Sequence, residues 1–289
     1  RKMSTYRIVT DATQDLPHAV VEELGVTVVP MDFDLDGQSY RHYADERELS
    51  VEAFYEKLRA GAPAVTSQIN PVVYEEVLEP ILSEGQDVLY IAFSSGLSGT
   101  VNNARMAVQT LGERYPERKI VVIDSLCASI GEGLLVYHAA RKQQEGMSFE
   151  ALCAWVEEHK GRVAHWFTVD DLNHLKRGGR LSAVEAIVGT ALNIKPVLSV
   201  DAEGRLEVKA KVRGSRKALE HVVGRLKEAG EAHKGQPVII GHADNMADAQ
   251  ILADMVRETG LVGEVLFAKI GPIIGTHTGA GMTALTFLQ

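Results

Sequence analysis

The chain has 289 residues, enough for one large or two modest domains with a real core. Its 30 basic and 39 acidic side chains give a formal net charge of −9, which argues against general nucleic-acid binding. No apolar run is long enough for a membrane span, the amino end carries no apolar signal-peptide core, and Cys127 and Cys153 form no CxxC or metal spacing, so a reducing cytoplasm is the expected setting.

Tyr6–Asp11 reads as a first strand, and Pro17 suits the first turn of a helix through Leu24. Val26–Pro30 is a second strand. Met31–Tyr40 alternates around Asp36-Gly37, a hairpin signal. Ser50 caps a helix whose Val51, Phe54, Tyr55 and Leu58 share a face. Val65-Thr66-Ser67-Gln68 reads as a hydroxyl-rich loop before Pro71 and a helix over 72–82. The apolar strand Val88–Phe93 leads through Ser94-Ser95-Gly96-Leu97-Ser98-Gly99-Thr100 into a helix over 101–111. Ile120–Asp124 is a further strand, followed by helices over 133–144 and 148–160. This alternation predicts a parallel, wound sheet, and Asp11, Thr66, Ser94 and Asp124 stand at strand ends, where ligands bind in such sheets.

The second half mixes hairpins and helices and reads as α+β. Val163–Val169 is a strand, and Leu175–Arg180 a basic, glycine-broken turn. Ser182 caps a helix expected through Leu192. Strands over 194–200 and 206–212 flank a hairpin loop at Asp201–Gly204. A helix to Leu226, a strand over 238–243, a helix over 247–259 and a strand over 265–270 follow. The chain closes on the glycine- and threonine-rich segment Gly271–Gly281 around His277. The expected division is 1–160 and 161–289.

Ser94–Thr100 sits at a strand-to-helix turn, where unpaired N–H groups and glycines suit an anionic group; it reads either as a hydroxyl-lined cradle or as an ordinary capping loop. His277, flanked by glycines, presents an accessible ring that can donate to a carboxylate or else satisfy local backbone. Lys176, Arg177, Arg180, Lys211 and Arg213 concentrate at two turns, as an anion-recognition patch or a solvated face. A serine esterase could be assembled from Ser95 or Ser98, His277 and Asp124, but GxSxG is absent. HExxH and the phosphate-cradling GxxxxGK[ST] loop are absent too, and Gly131-Glu132-Gly133 is a lone GxG. No metal and no cofactor is expected.

Together these segments resemble the DegV family of fatty-acid-binding proteins. The resemblance runs through Val9–Pro17, Val65–Gln68, Ser94–Thr100, Asp124-Ser125 with Ala128-Ser129, Phe167–Leu172 through Gly178-Gly179-Arg180, Asn193–Pro196, Lys211–Gly214 and Gly275–Gly279, in family order. Ala12 and Ala280 depart from it, where the family more often has Ser and Pro. The resemblance implies two α/β domains with a long-chain fatty acid in a tunnel between them. Thr66, Ser95 and His277, with Ser94 beside them, would hold the carboxylate. Arg177, Arg180 and Arg213 would meet a separate ATP-using fatty-acid kinase or the phosphoryl group. The protein would then be a carrier that presents the acid and holds the acyl phosphate, with no catalysis of its own and transient contact with a membrane surface. Leu97, Met106, Ile187 and Leu192 are candidate tunnel walls.

Enclosure has a physical basis. A long acyl chain brings roughly 10 kcal/mol of gross driving force before binding costs. Its buried carboxylate then needs hydrogen-bond donors, which hydroxyls and a neutral histidine supply without a fixed positive charge.

Overall fold

The structure is a computed structural model and describes residues 5–183, 185–187 and 193–289. In chain order the first elements are β1 (Tyr6–Asp11), α1 (His18–Leu24), β2 (Thr27–Val29), β3 (Met31–Leu35), β4 (Gln38–His42), α2 (Val51–Arg59), β5 (Ala64–Thr66), α3 (Pro71–Ser83), β6 (Asp87–Ala92), α4 (Thr100–Arg114), β7 (Ile120–Asp124), α5 (Ser129–Gln144) and α6 (Phe149–His159). There follow β8 (Val163–Thr168), α7 (Asn173–Arg177), β9 (Ile194–Val200), β10 (Leu206–Arg213), α8 (Ser215–Ala229), β11 (Gln236–His242), α9 (Met246–Glu258), β12 (Val262–Lys269), α10 (Pro272–Thr278) and β13 (Thr283–Leu288).

Val88–Ala92 is buried throughout, and such a run needs cover on both faces. It lies inside a four-stranded parallel sheet ordered β2-β1-β6-β7. That order brings Asp11, Phe93 and Asp124 to one edge. Met31, Phe33 and Leu35 point inward while Asp32 and Asp34 point out, the two-residue period of a half-buried strand. This strand is the centre of a small antiparallel sheet, β4-β3-β5. Asp36 and Gly37, at φ 54° and 78°, supply the two left-handed residues of its hairpin turn. Ser50, Asn70 and Ser148 cap their helices through the side chain.

The third sheet is mixed, six strands ordered β10-β9-β8-β13-β11-β12. Its strands start at Val163, whereas those of the first two sheets end by Asp124. One face is covered by α8 and α9 through Leu219, Val222, Leu226, Leu252 and Val256. The other packs on α5, which also touches β1. Helix α5 is therefore buried on both sides, with Leu134, Leu135, Val136, Ala139 and Ala140 inaccessible to water. It joins the two halves of the core.

Four readings of the sequence change. Val65–Gln68 is not wholly loop, because Ala64–Thr66 pairs with β3 as an edge strand. The basic turn begins as a short helix, α7. The closing glycine-rich segment contains α10, started by Gly271 and Pro272. The final residues form β13, which sits between β8 and β11. The helix expected from Ser182 to Leu192 falls largely outside the described residues; Ser182 Oγ does accept the Glu185 N–H at 3.2 Å.

Candidate functional site

A cavity of about 200 Å³ lies between the mixed sheet and the first half of the chain. Phe167 and Ala284 line it from the sheet, Phe93 and Leu97 from the turn after β6, Ile130 from α5, and Ile273 and Ile274 from α10. These walls are apolar. The polar groups include Thr66, Ser67 and Gln68 at and after β5, Ser98, Arg180 and His277.

Thr66 and His277, far apart in sequence, meet here with Oγ1 and Nε2 at 2.8 Å. Burial and the nearby Arg180 charge lower the His277 pKa to about 4, so the ring is neutral at pH 7. Its Nδ1 is buried without a hydrogen-bond partner. That nitrogen faces Gly178, where an added Cβ would come within 2.3 Å. An orphaned acceptor is cheaper to bury than an orphaned N–H. The proton therefore belongs on Nε2, which donates to Thr66 and leaves the threonine hydroxyl to donate into the cavity.

Arg180 is half-buried and anchored by its Nε to the Leu97 carbonyl at 3.1 Å and by its Nη1 to the Gly178 carbonyl. Burial lowers its pKa, yet a guanidinium keeps its proton. It is thus a cation held in the cavity wall beside a neutral imidazole.

The serines divide differently from the expectation. Ser98 lines the cavity and shares a 2.8 Å hydrogen bond with Thr100. Ser94 does not line it: its hydroxyl donates to the Gly204 carbonyl at 2.7 Å. Ser95 does not line it either and is exposed, its N–H donating to Asp124 at 3.1 Å. The reason is the tight turn at Leu97 and Ser98, whose N–H groups both return to the Ser94 carbonyl. Gly96 lets the hairpin loop at Glu203 and Gly204 close over that turn, since an added Cβ would come within 2.7 Å of the Glu203 carbonyl. Of the three arginines expected to act together, Arg180 lines the cavity, while Arg177 and Arg213 are exposed and do not.

No triad is assembled from the esterase candidates. His277 is bonded to Thr66 rather than to a serine, and Asp124 is bonded to the Ser95 and Leu126 N–H groups. Of the wall residues expected, Leu97 lines the cavity, Met106 and Ile187 are exposed, and Leu192 lies outside the described residues.

A buried polar network supports the wall. Asp11 accepts the Tyr90 hydroxyl at 2.6 Å and the Phe93 N–H at 2.9 Å. Glu132 lies 3.0 Å from the Thr10 and Thr13 hydroxyl oxygens, which donate onward to the Ile91 carbonyl at 2.9 Å and to Asp11 at 2.6 Å. Burial and then the Asp11 charge raise the Glu132 pKa far above the ordinary carboxylate range, so it is a neutral acid. The sequence reading passed over Glu132 inside its GxG and Gln68 as a liner, and placed Ser98 in the cradle without naming it among the carboxylate residues. The signal for Ser98 was its place at the start of α4. Among the described residues, no group of three or more His, Cys, Asp or Glu could hold a metal ion, and no helix is long and apolar enough to cross a membrane.

Comparison with known proteins gives the family. The family model described as "Uncharacterised protein, DegV family" matches residues 5–289. A DegV domain-containing protein of Clostridium perfringens is 41% identical over 286 residues, covering 99% of this chain and 98% of the relative. A solved DegV family protein of Thermus thermophilus, described by its fatty acid binding, superimposes with a TM-score of 0.89 at 34% identity, covering 99% and 100% of the two chains. DegV of Bacillus subtilis, described as a fatty acid binding protein, gives a TM-score of 0.85 at 28% identity, covering 99% of each. The chain belongs to the DegV family.

Proposed function

We propose that this chain binds a long-chain fatty acid in the cavity between its two halves, 1–160 and 161–289. The acid's carboxylate takes the Thr66 hydroxyl, which the His277 Nε2–H backs from behind, and the Ser98 hydroxyl, with Arg180 as the nearby cation. The tail runs against Phe93, Ile130, Phe167, Ile273 and Ile274. The observation that carries this reading is the Thr66–His277 contact at 2.8 Å in the wall of an otherwise apolar cavity. The fatty acid binding described for the related structures supports it.

In the fuller form of the proposal the protein is not itself an enzyme. It presents the acid to a separate ATP-dependent kinase in the cytoplasm and carries the acyl phosphate. Exposed Arg177 and Arg213 face that partner. Neutral donors hold the carboxylate without a tight ion pair, which leaves its oxygens able to accept a phosphoryl group.

Mass spectrometry of an organic-solvent extract of the purified protein tests the binding step. A co-purifying fatty acid is expected; its absence, together with failure to take up added oleate or palmitate, would overturn the reading. His277→Ala is expected to lower phosphorylation of the bound acid by a matched kinase. Unchanged turnover and lipid retention would remove His277 from the site.

A further inference from the structure

A second cavity, of about 330 Å³, opens where the turn after β1 meets the carboxyl ends of β11 and β12. Its hydrogen-bond ledger is one-sided. Gln14 is 2% exposed, and its Oε1 accepts the Leu16 N–H at 2.7 Å. That bond fixes the amide orientation and leaves Nε2 with both hydrogens available. His242 Nδ1 accepts the Asn245 N–H at 3.0 Å, so the hydrogen of this ring is on Nε2. Among the described residues no protein group takes that hydrogen, and none bonds either nitrogen of the buried His42. Donors on three separate elements thus line one cavity. Lys269 is already held by two acids, Glu46 at 2.8 Å and Glu52 at 3.1 Å, and His18 Nε2 lies 3.0 Å from Glu22. Asp15 is the acid with no cation beside it.

We propose that this cavity is a second binding site, for a short organic carboxylate whose oxygens take the N–H groups of Gln14, His42 and His242 and whose carbon chain lies against Leu16, Val51 and Phe267. The Asp15 carboxylate would repel such a ligand, and the fold provides the remedy. Burial raises the Asp15 pKa to about 7, against the opposing hydrogen bonds from Ser129 and Gly271 and with the Asp11 and Glu46 charges adding to the rise. Asp15 is therefore protonated in the bound state, taking a proton from water only where it was ionised beforehand, and the acid pair carries one charge rather than two. His42, lowered to about 4, is a neutral donor here, and burial pushes His242 in the same direction. With Asp15 protonated, a dianion would still bring a second charge beside Glu46 and would leave the apolar wall of Leu16, Val51 and Phe267 uncovered, so the site favours a monoanion with a carbon chain.

The test uses the full chain preloaded with oleate, with hexanoate as the probe, sulfate, a dianion at every pH used, as the control, and histidine ring NMR signals as the readout. Hexanoate is expected to shift His42 and His242 but not His277, and sulfate to shift none. Affinity should hold level below pH 7 and fall by up to about tenfold per pH unit above it. Gln14→Glu keeps the bond to Leu16 but removes the donor, and should weaken hexanoate about tenfold or more. Millimolar hexanoate that leaves His42 and His242 unmoved would overturn the proposal. So would equal binding to Gln14→Glu, or binding that is flat from pH 6 to 9. The pH series needs no variant, so it decides the matter if Gln14→Glu does not fold. Because His277 reports the first cavity separately, failure here leaves the long-chain reading intact, and the reverse also holds.

Discussion

The two cavities sit at the same junction of sheets yet treat charge in opposite ways. The first has apolar walls, a neutral Thr66–His277 pair and one cation, Arg180, with no acid among its described liners. The second has Asp15 and Glu46 in its walls, with Lys269 already engaged by Glu46 and Glu52. Asp15 marks the boundary. Its Oδ2 accepts the hydroxyl of Ser129, a liner of the first cavity, at 2.7 Å, and its Oδ1 accepts the Gly271 N–H at 3.0 Å. Gly271 begins α10, the helix that carries His277. A carboxylate there satisfies an orphan donor at the helix start. The acid is thus spent on anchoring α10 from behind, and the cavity in front stays free of the charge that would repel a fatty acid.

If both cavities depend on neutral histidines, acid should break them together, and this is the largest effect expected. His165 and His277 in the first and His42 in the second are each held at about 4, mainly by burial. Their unfolded value is near 6.5. A base whose folded pKa is depressed contributes stability that is complete above the unfolded value and lost as pH falls through the folded one. Each ring can therefore cost up to about 3 kcal/mol by pH 4. Denaturant melts between pH 7.5 and 4 should show the loss. A level profile would mean that these rings take protons in the folded protein.

Asp15 tests the boundary in the other direction. Its folded pKa, about 7, lies above the ordinary carboxylate value, so the protonated acid suits the fold and stability falls as pH rises through 7. Asp15→Asn keeps an oxygen for Gly271 and cannot ionise. Its advantage over the parent chain should grow between pH 5 and 8, by up to a few kcal/mol. A difference independent of pH would show that Asp15 ionises without penalty, and would remove the contrast between the cavities.

How much of this was legible in the sequence depended on how local its cause was. The parallel sheet, the Asp36-Gly37 hairpin and the Ser50 cap follow from periodicity and turn chemistry within a few residues, and they were readable. Thr66 as an edge-strand residue was not, because its pairing partner Phe33 lies on another element. Nor was β13, whose place between β8 and β11 is set by contacts across the whole second half. Thr66 and His277 were named from family likeness, while their 2.8 Å contact depends on tertiary structure. The choice among Ser94, Ser95 and Ser98 turned on the direction of one tight turn, which spacing does not encode. The second cavity was invisible, since Gln14, His42 and His242 share no motif.

Gly178 offers a narrower probe of the first cavity alone. Its φ is −76°, so alanine meets no backbone strain, but the new Cβ would crowd His277 Nδ1 from 2.3 Å. The ring must move, which disturbs its 2.8 Å contact with Thr66. Gly178→Ala should weaken fatty-acid binding by about tenfold, near 1.4 kcal/mol, while leaving the second cavity's histidine signals in place. Unchanged affinity would mean that the Thr66–His277 contact does not hold the acid.

The smallest effect separates neighbouring serines. Ser98 lines the cavity, and Ser98→Ala removes one neutral hydroxyl from the carboxylate, a loss of about 0.5–1.5 kcal/mol in binding. Ser95 is exposed and its bond to Asp124 is made by the backbone N–H, which alanine keeps. Ser95→Ala should therefore bind the acid like the parent chain. Titration of both variants with a fluorescent fatty acid checks the pair. The reverse order would show that the turn after β6 opens toward the ligand from the other side. The same two proteins also serve against an ester substrate: hydrolysis lost in either one would revive a serine nucleophile, for which His277, bonded to Thr66, is not placed as the base.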